Sequence, residues 1–154
     1  MAVNRDFKDL FSTLNVFHVR FLVVGAHAVI HYTEPRYTKD LDIWVEPAAR
    51  NAKATWRALT QFGAPLRGVS ETDFKDPEII FQIGVAPNRV DIMPGVPGVR
   101  FKTAWRNALK TTYGGTPIRI IGFNDLLRAK RAAARPQDLL DLAALDATKK
   151  ARRQ

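Results

Sequence analysis

Apolar residues recur along this chain in two rhythms, and the switches between them mark out alternating helices and strands. Phe7, Leu10, Phe11 and Leu14 fall three or four apart, which predicts an amphipathic opening helix over 5–15. A short apolar strand is expected over 20–24, stopping at Gly25. A helix then follows over 26–32 with Val29 and Ile30 inward, broken by Pro35. The clearest alternation spans 38–46. Leu41, Ile43 and Val45 fall on one side, and Asp40, Asp42, Trp44 and Glu46 on the other. Pro47 opens a helix that carries Trp56 and Leu59 to about Phe62, where Gly63 ends it.

The second half continues the pattern with shorter pieces. A turn is expected at 72–74, and strands over 78–84 and 89–93 form a hairpin through 85–88. A short helix is read over 101–109. Gly114 and Gly115 separate 110–113 from 117–121 as a second hairpin. Asn124 reads as the N-cap of a helix reaching Ala134, and Pro136 opens a last helix to about Ala147. The expected fold is a single α/β (α+β) domain over 1–148 with a C-terminal helical pair. A basic, disordered tail is expected over 149–154.

Composition narrows the function classes. At 154 residues and 46% hydrophobic content, the chain can bury a core without staples. It has no cysteine, which excludes disulfides, thiolate metal sites and a cysteine nucleophile. The first eleven residues lack the apolar core of a signal peptide, and the run 21–24 is far too short to span a bilayer, so a cytoplasmic protein without a membrane partner is expected. The net charge is +9, and its placement matters more than its size. Residues 1–99 hold 11 Lys/Arg and 11 Asp/Glu, whereas 100–154 hold 13 against 4. That asymmetry suits a polyanion such as a nucleoside triphosphate or RNA, and also suits a merely soluble basic surface.

Candidate chemistry concentrates in the acidic residues of the two central strands. Residues two apart on a strand point the same way, so Asp40 and Asp42 share one face while Leu41 and Ile43 anchor the other. Val90 and Ile92 flank Asp91 in the same manner. If the strands are neighbours, three carboxylates converge, repel one another and favour a cation. A hard ion with oxygen ligands, Mg²⁺ or Mn²⁺, matches such a set. Ions of this kind clamp an in-line phosphoryl displacement. Taken alone, Asp-Leu-Asp reads more readily as a solvated strand face. Gly25, closing a strand and opening a helix, adds a place where backbone N–H groups can approach a phosphate.

The order strand, Gly25-Ala26, helix, Asp40-Leu41-Asp42, then a distant Asp91 resembles the nucleotidyltransferase superfamily. The chain looks more narrowly like the small bacterial nucleotidyltransferases of the domain-of-unknown-function 6036 type. The stretches that carry the likeness are FLVVGAHAVI, PRYTKDLDIWVEP, FGAP, FQIGVAPNRVDIM, GVRFKTAW and LLRAKRAAARPQDLLDLAAL, which together run from Phe21 to Leu145. The resemblance implies a mixed sheet flanked by helices, Asp40, Asp42 and Asp91 as catalytic metal ligands, and phosphate contact at Gly25 and Ala26. It further implies transfer of a nucleoside monophosphate from a nucleoside triphosphate to a hydroxyl, with RNA or protein acceptors and toxin–antitoxin roles among the outcomes. Ala26 departs from the family's second Gly or Ser, removing a hydroxyl but no backbone donor. That departure keeps a second reading open, a non-catalytic nucleotide- or RNA-binding module.

Several other residues have two readings each. Arg36 and Thr38 precede the carboxylates; Arg36 suits a triphosphate as well as a salt bridge to Asp40 or Glu34. Lys130 and Arg135 read as phosphate or acceptor contacts, or as a solvated helix end. His27 and His31 lie four apart, but Ala28 stands where a zinc protease needs Glu, so zinc is not expected. Trp44 reads as packing at a sheet edge rather than stacking on a base. Trp56 and Trp105 read as packing residues. With so short a chain, an acceptor is expected to need a partner chain or a homodimer.

Overall fold

The computed structural model describes residues 3–35, 40–85 and 88–153. Six helices and six strands are interspersed among them. α1 is Arg5–Val16, β1 Phe21–Val24, α2 Gly25–Tyr32, β2 Asp40–Val45 and α3 Ala49–Phe62. A 3-10 turn, Glu71–Lys75, leads to β3 Phe81–Ile83 and β4 Arg89–Met93. α4 is Phe101–Asn107, β5 Leu109–Tyr113, β6 Thr116–Ile120, α5 Phe123–Ala133 and α6 Pro136–Arg153.

The strands form one mixed sheet in the order β3-β4-β2-β1-β6-β5. β1 lies antiparallel to β2 and parallel to β6, while β2 lies parallel to β4. β1 sits inside this order, and its four residues Phe-Leu-Val-Val are all buried, as a strand covered on both faces requires. Outer strand β5 keeps Lys110 and Thr112 exposed. Helix α1 inserts Phe7, Leu10, Phe11 and Leu14, and Phe11 stacks on Phe21 of β1. Asn4 caps this helix by accepting from the N–H groups of Asp6 and Phe7. Asn51 of α3 accepts from the Arg20 N–H at 2.8 Å and donates to the Glu46 carbonyl at 3.0 Å, tying that helix to adjacent ends of β1 and β2.

Three expectations need correction. Trp44 is not at a sheet edge. It is 1% exposed on a central strand, its ring edge-on to Phe101 of α4, and its indole N–H donates to the Pro94 carbonyl at 3.3 Å. The alternation of β2 therefore ends at Trp44, because α4 covers that end of the acidic face. Asn124 is not a cap: α5 starts at Phe123 with Gly122 at the N-cap position and no side-chain bond there. The last helix continues to Arg153 rather than ending near Ala147, so the basic run Lys149–Arg152 is helical. Among the described residues no helix is long and apolar enough to cross a membrane.

Candidate active site

Strand register brings the acidic residues together. In the parallel pair β2/β4, Asp42 lies directly beside Asp91, and Asp40 beside Arg89. Neighbouring strands are about 4.8 Å apart, so aligned residues project from the same side at that spacing. Leu41, Ile43, Val90 and Ile92 point into the core and hold both strands in this register. A slip of one residue in either strand would turn that strand's pair outward. The acidic face survives as the other half of a buried alternation.

On its opposite flank Asp42 pairs with Val24, the last residue of β1, and then meets Gly25. Gly25 has φ +66°, and a Cβ there would overlap Oδ2 of Asp42 and lie 2.9 Å from its Cγ. Glycine is needed twice over at this position, for the backbone conformation and for the close approach. The first turn of α2 thereby abuts a carboxylate of the neighbouring strand.

These residues line a cleft of about 620 Å³. Asp40, Asp42, Asp91, Gly25 and Arg89 form part of its wall, and Lys130, Arg135 and Asp138 come from the C-terminal helical pair. Burial, then repulsion from Asp91 and Asp40, pushes the Asp42 carboxyl up to about 6, against the opposing pull of Lys130 and Arg135. Arg89 is the immediate counter-ion. Its Nε and Nη2 donate to Oδ1 and Oδ2 of Asp91, both at 3.3 Å, and Nε lies 3.8 Å from Oδ1 of Asp40. Gln82 of β3 also donates to Asp91, at 3.2 Å.

Lys130 reaches the cleft but is already engaged. Its ammonium lies 3.1 Å from Asp138 and 3.0 Å from Asp141, both carboxylates being 1% exposed. Arg135 donates from Nε to Asp138 at 2.8 Å. Burial would raise the Asp138 carboxyl, but hydrogen bonds from Arg135 and Lys130 outweigh it and bring it to about 2. Lys130 thus serves as the charged centre of an α5–α6 clasp. Ala26, at the start of α2, is half-buried beside Gly25. Arg36 and Thr38 lie outside the described residues. Sequence reasoning missed Arg89, Gln82, Asp138 and Asp141. Arg89 was within reach, because it stands two before Asp91 on an alternating strand and must share its face.

Could the carboxylates hold a divalent ion? The donors are all hard oxygens, and Asp42 is raised by burial first and then by repulsion from Asp91 and Asp40, a repulsion that a cation relieves. Among the described residues, however, no three His, Cys, Asp or Glu side chains are gathered closely enough to grip an ion as they stand. Arg89 spans Asp91 and Asp40 instead. What fits Mg²⁺ or Mn²⁺ is the chemistry of the donors, three aspartates on one face of neighbouring strands. His27 gives no support to zinc. Its imidazole packs edge-on to Phe7, burial lowers its basicity, and its buried Nε2 has no hydrogen-bond partner.

With this arrangement in view, one solved structure is informative. The lincosamide antibiotic adenylyltransferase LnuA, in its lincomycin-bound crystal form, superposes with a TM-score of 0.55 over 96% of this chain and 99% of that one. This is a nucleotidyltransferase fold. At 17% identity the likeness concerns architecture alone: the mixed six-stranded sheet flanked by helices, with the helical pair at the C-terminal end. No family model matches the chain, and no curated protein matches it.

Proposed function

We propose that this protein is a metal-dependent nucleotidyltransferase that moves a nucleoside monophosphate from a nucleoside triphosphate to an acceptor hydroxyl. The observation that carries the reading is the alignment of Asp42 with Asp91 in one cleft, with Gly25 pressed against Asp42 at its edge. The cleft is of nucleotide size. Asp40, Asp42 and Asp91 would hold Mg²⁺ or Mn²⁺. When bound, the metal neutralises charge developing on the phosphoryl oxygens.

The chain's own residues do the rest. Backbone N–H groups at Gly25 and Ala26, opening α2, receive a phosphate. The acceptor oxygen attacks the α-phosphorus, the bond to the bridging oxygen breaks, and pyrophosphate leaves. Asp91 would activate the acceptor hydroxyl, either as a metal ligand or as the base that takes its proton. Arg36 and Thr38 would contact the triphosphate, and Lys130 supports the cleft from its clasp. An RNA or protein acceptor, including one within a toxin–antitoxin pair, is favoured by the positive excess in the second half of the chain. It would be presented by a partner chain or across a homodimer. Likeness to the 6036-type nucleotidyltransferases belongs to the same proposal.

Incubation with α-labelled ATP, CTP, GTP and UTP, Mg²⁺ or Mn²⁺, and RNA or lysate tests the reading. Label should move to an acceptor with the wild type and vanish with Asp42→Ala. Triphosphate binding without transfer from any of the four would favour the non-catalytic module instead.

A further inference from the structure

Arg89 occupies an unusual place for a cation. It pairs in register with Asp40 across β2/β4 and shares a strand face with Asp91 two residues on. Its fork covers both oxygens of Asp91, and Gln82 adds a third bond to Oδ1. An ion such as Mg²⁺ binds carboxylate oxygen at about 2.0–2.1 Å, and the same lone pairs cannot serve it and the guanidinium together. Among the described residues the other cations on the cleft wall, Lys130 and Arg135, are bonded to Asp138 and Asp141. Arg89 differs in that its ion-pair partners among the described residues, Asp91 and Asp40, belong to the carboxylate set itself: its side chain is 38% exposed at the cleft margin.

We propose that Arg89 is a built-in placeholder, holding Asp91 and Asp40 until a divalent ion takes the seat and then turning its freed guanidinium to the phosphates of the incoming nucleotide. The proposal rests on the nucleotidyl-transfer reading above. It makes ion binding an exchange of one cation for another. Three carboxylates are never left together without positive charge, and a phosphate-binding arginine becomes available only when a metal is present. Metal loading and triphosphate capture are thus coupled through a single side chain.

The test uses chelator-treated protein and two probes that need no knowledge of the base or the acceptor. Mn²⁺ is titrated calorimetrically into wild type, Arg89→Met and Arg135→Met; inorganic tripolyphosphate is then titrated at saturating Mn²⁺. Arg89→Met should bind Mn²⁺ about tenfold more tightly or better, the equivalent of one charge-assisted hydrogen bond no longer competed against. Arg135→Met removes a cation of the same cleft that is bonded elsewhere, and should change Mn²⁺ affinity less than about threefold. Tripolyphosphate should bind Arg89→Met about tenfold more weakly than wild type. Arg89→Lys, which keeps the charge without the fork, should fall between.

Equal Mn²⁺ affinity in wild type and Arg89→Met overturns the proposal. So does an equal gain in Arg135→Met, which would reduce the effect to bulk charge, and so does tripolyphosphate binding indifferent to Arg89. Binding of Mn²⁺ that Asp91→Asn abolishes but Arg89→Met leaves untouched sinks this inference alone. Binding by none of the folded variants sinks the carboxylate reading with it.

Discussion

Replacing Asp42 with asparagine should make the metal-free protein more stable at neutral pH. Burial and the neighbouring Asp91 and Asp40 raise the folded-state carboxyl from its ordinary value of 3.8 to about 6. The folded protein therefore binds the Asp42 proton more tightly than the unfolded chain. The associated stability is fully present below pH 3.8, falls as pH rises through the interval, and is lost above about pH 6. A shift of roughly two units is worth about 3 kcal/mol at 1.36 kcal/mol per unit, an upper figure because water reaches part of the side chain. The amide in the variant carries no such titration. Urea unfolding in EDTA should show the two proteins within about 1 kcal/mol of each other at pH 4. The variant should lead by up to about 3 kcal/mol at pH 8, roughly 6–12 °C in melting temperature for a chain of this size. Adding Mn²⁺ at pH 8 should close the gap by stabilising only the wild type. A pH-independent difference, or an asparagine variant less stable at pH 8, would refute the claim that burial and carboxylate repulsion together strain this site.

Other substitutions probe the supports of the cleft. Gly25→Ala places a Cβ against the Asp42 carboxylate at φ +66° and should cost more than the ~1–2 kcal/mol of the backbone conformation alone. A double-mutant cycle with Asp42→Ala, read by urea unfolding, should recover the excess and leave the backbone cost. Lys130→Met takes the shared ammonium from buried Asp138 and Asp141, leaving Arg135 on the first and Gln137 on the second, and should destabilise by up to about 3 kcal/mol in thermal unfolding. A purely phosphate-binding lysine would leave the melting temperature near wild type. Trp44→Phe removes the bond to the Pro94 carbonyl and part of the contact with Phe101, with an expected loss of about 1–3 kcal/mol in urea unfolding and no direct loss of a cleft group.

Much of the architecture was legible because local pattern and burial agree. Phe7, Leu10, Phe11 and Leu14 announced α1, and Gly63 announced the end of α3, where it adopts φ +92°. Alternation in β2 and β4 gave the shared acidic face, and the register that aligns Asp42 with Asp91 follows from burying Leu41, Ile43, Val90 and Ile92 together. What stayed hidden depended on contacts distant in sequence. Trp44 follows the polar rhythm yet is buried, because α4 brings Phe101 over it from 57 positions along the chain. Lys130 looked available because its partners, Asp138 and Asp141, face it only once α6 folds back on α5. Asn124 had the right residue type for a cap one position inside the helix. The intimacy of Gly25 with Asp42 had a sequence signal in the glycine, but its cause lies in the pairing of β1 with β2.

The Lys130 clasp has a consequence for the order in which this molecule comes into being. Synthesis delivers the acidic strands first, whereas Asp138 and Asp141, which seat Lys130 and hold Arg135 against the cleft, leave the ribosome later. A nascent chain that has reached only Pro136 carries the acids without the helix that closes over them. The cleft wall is therefore completed after the acids it faces, and under the nucleotidyl-transfer proposal a ribosome-bound intermediate should be unable to retain a triphosphate until that helix has emerged and docked.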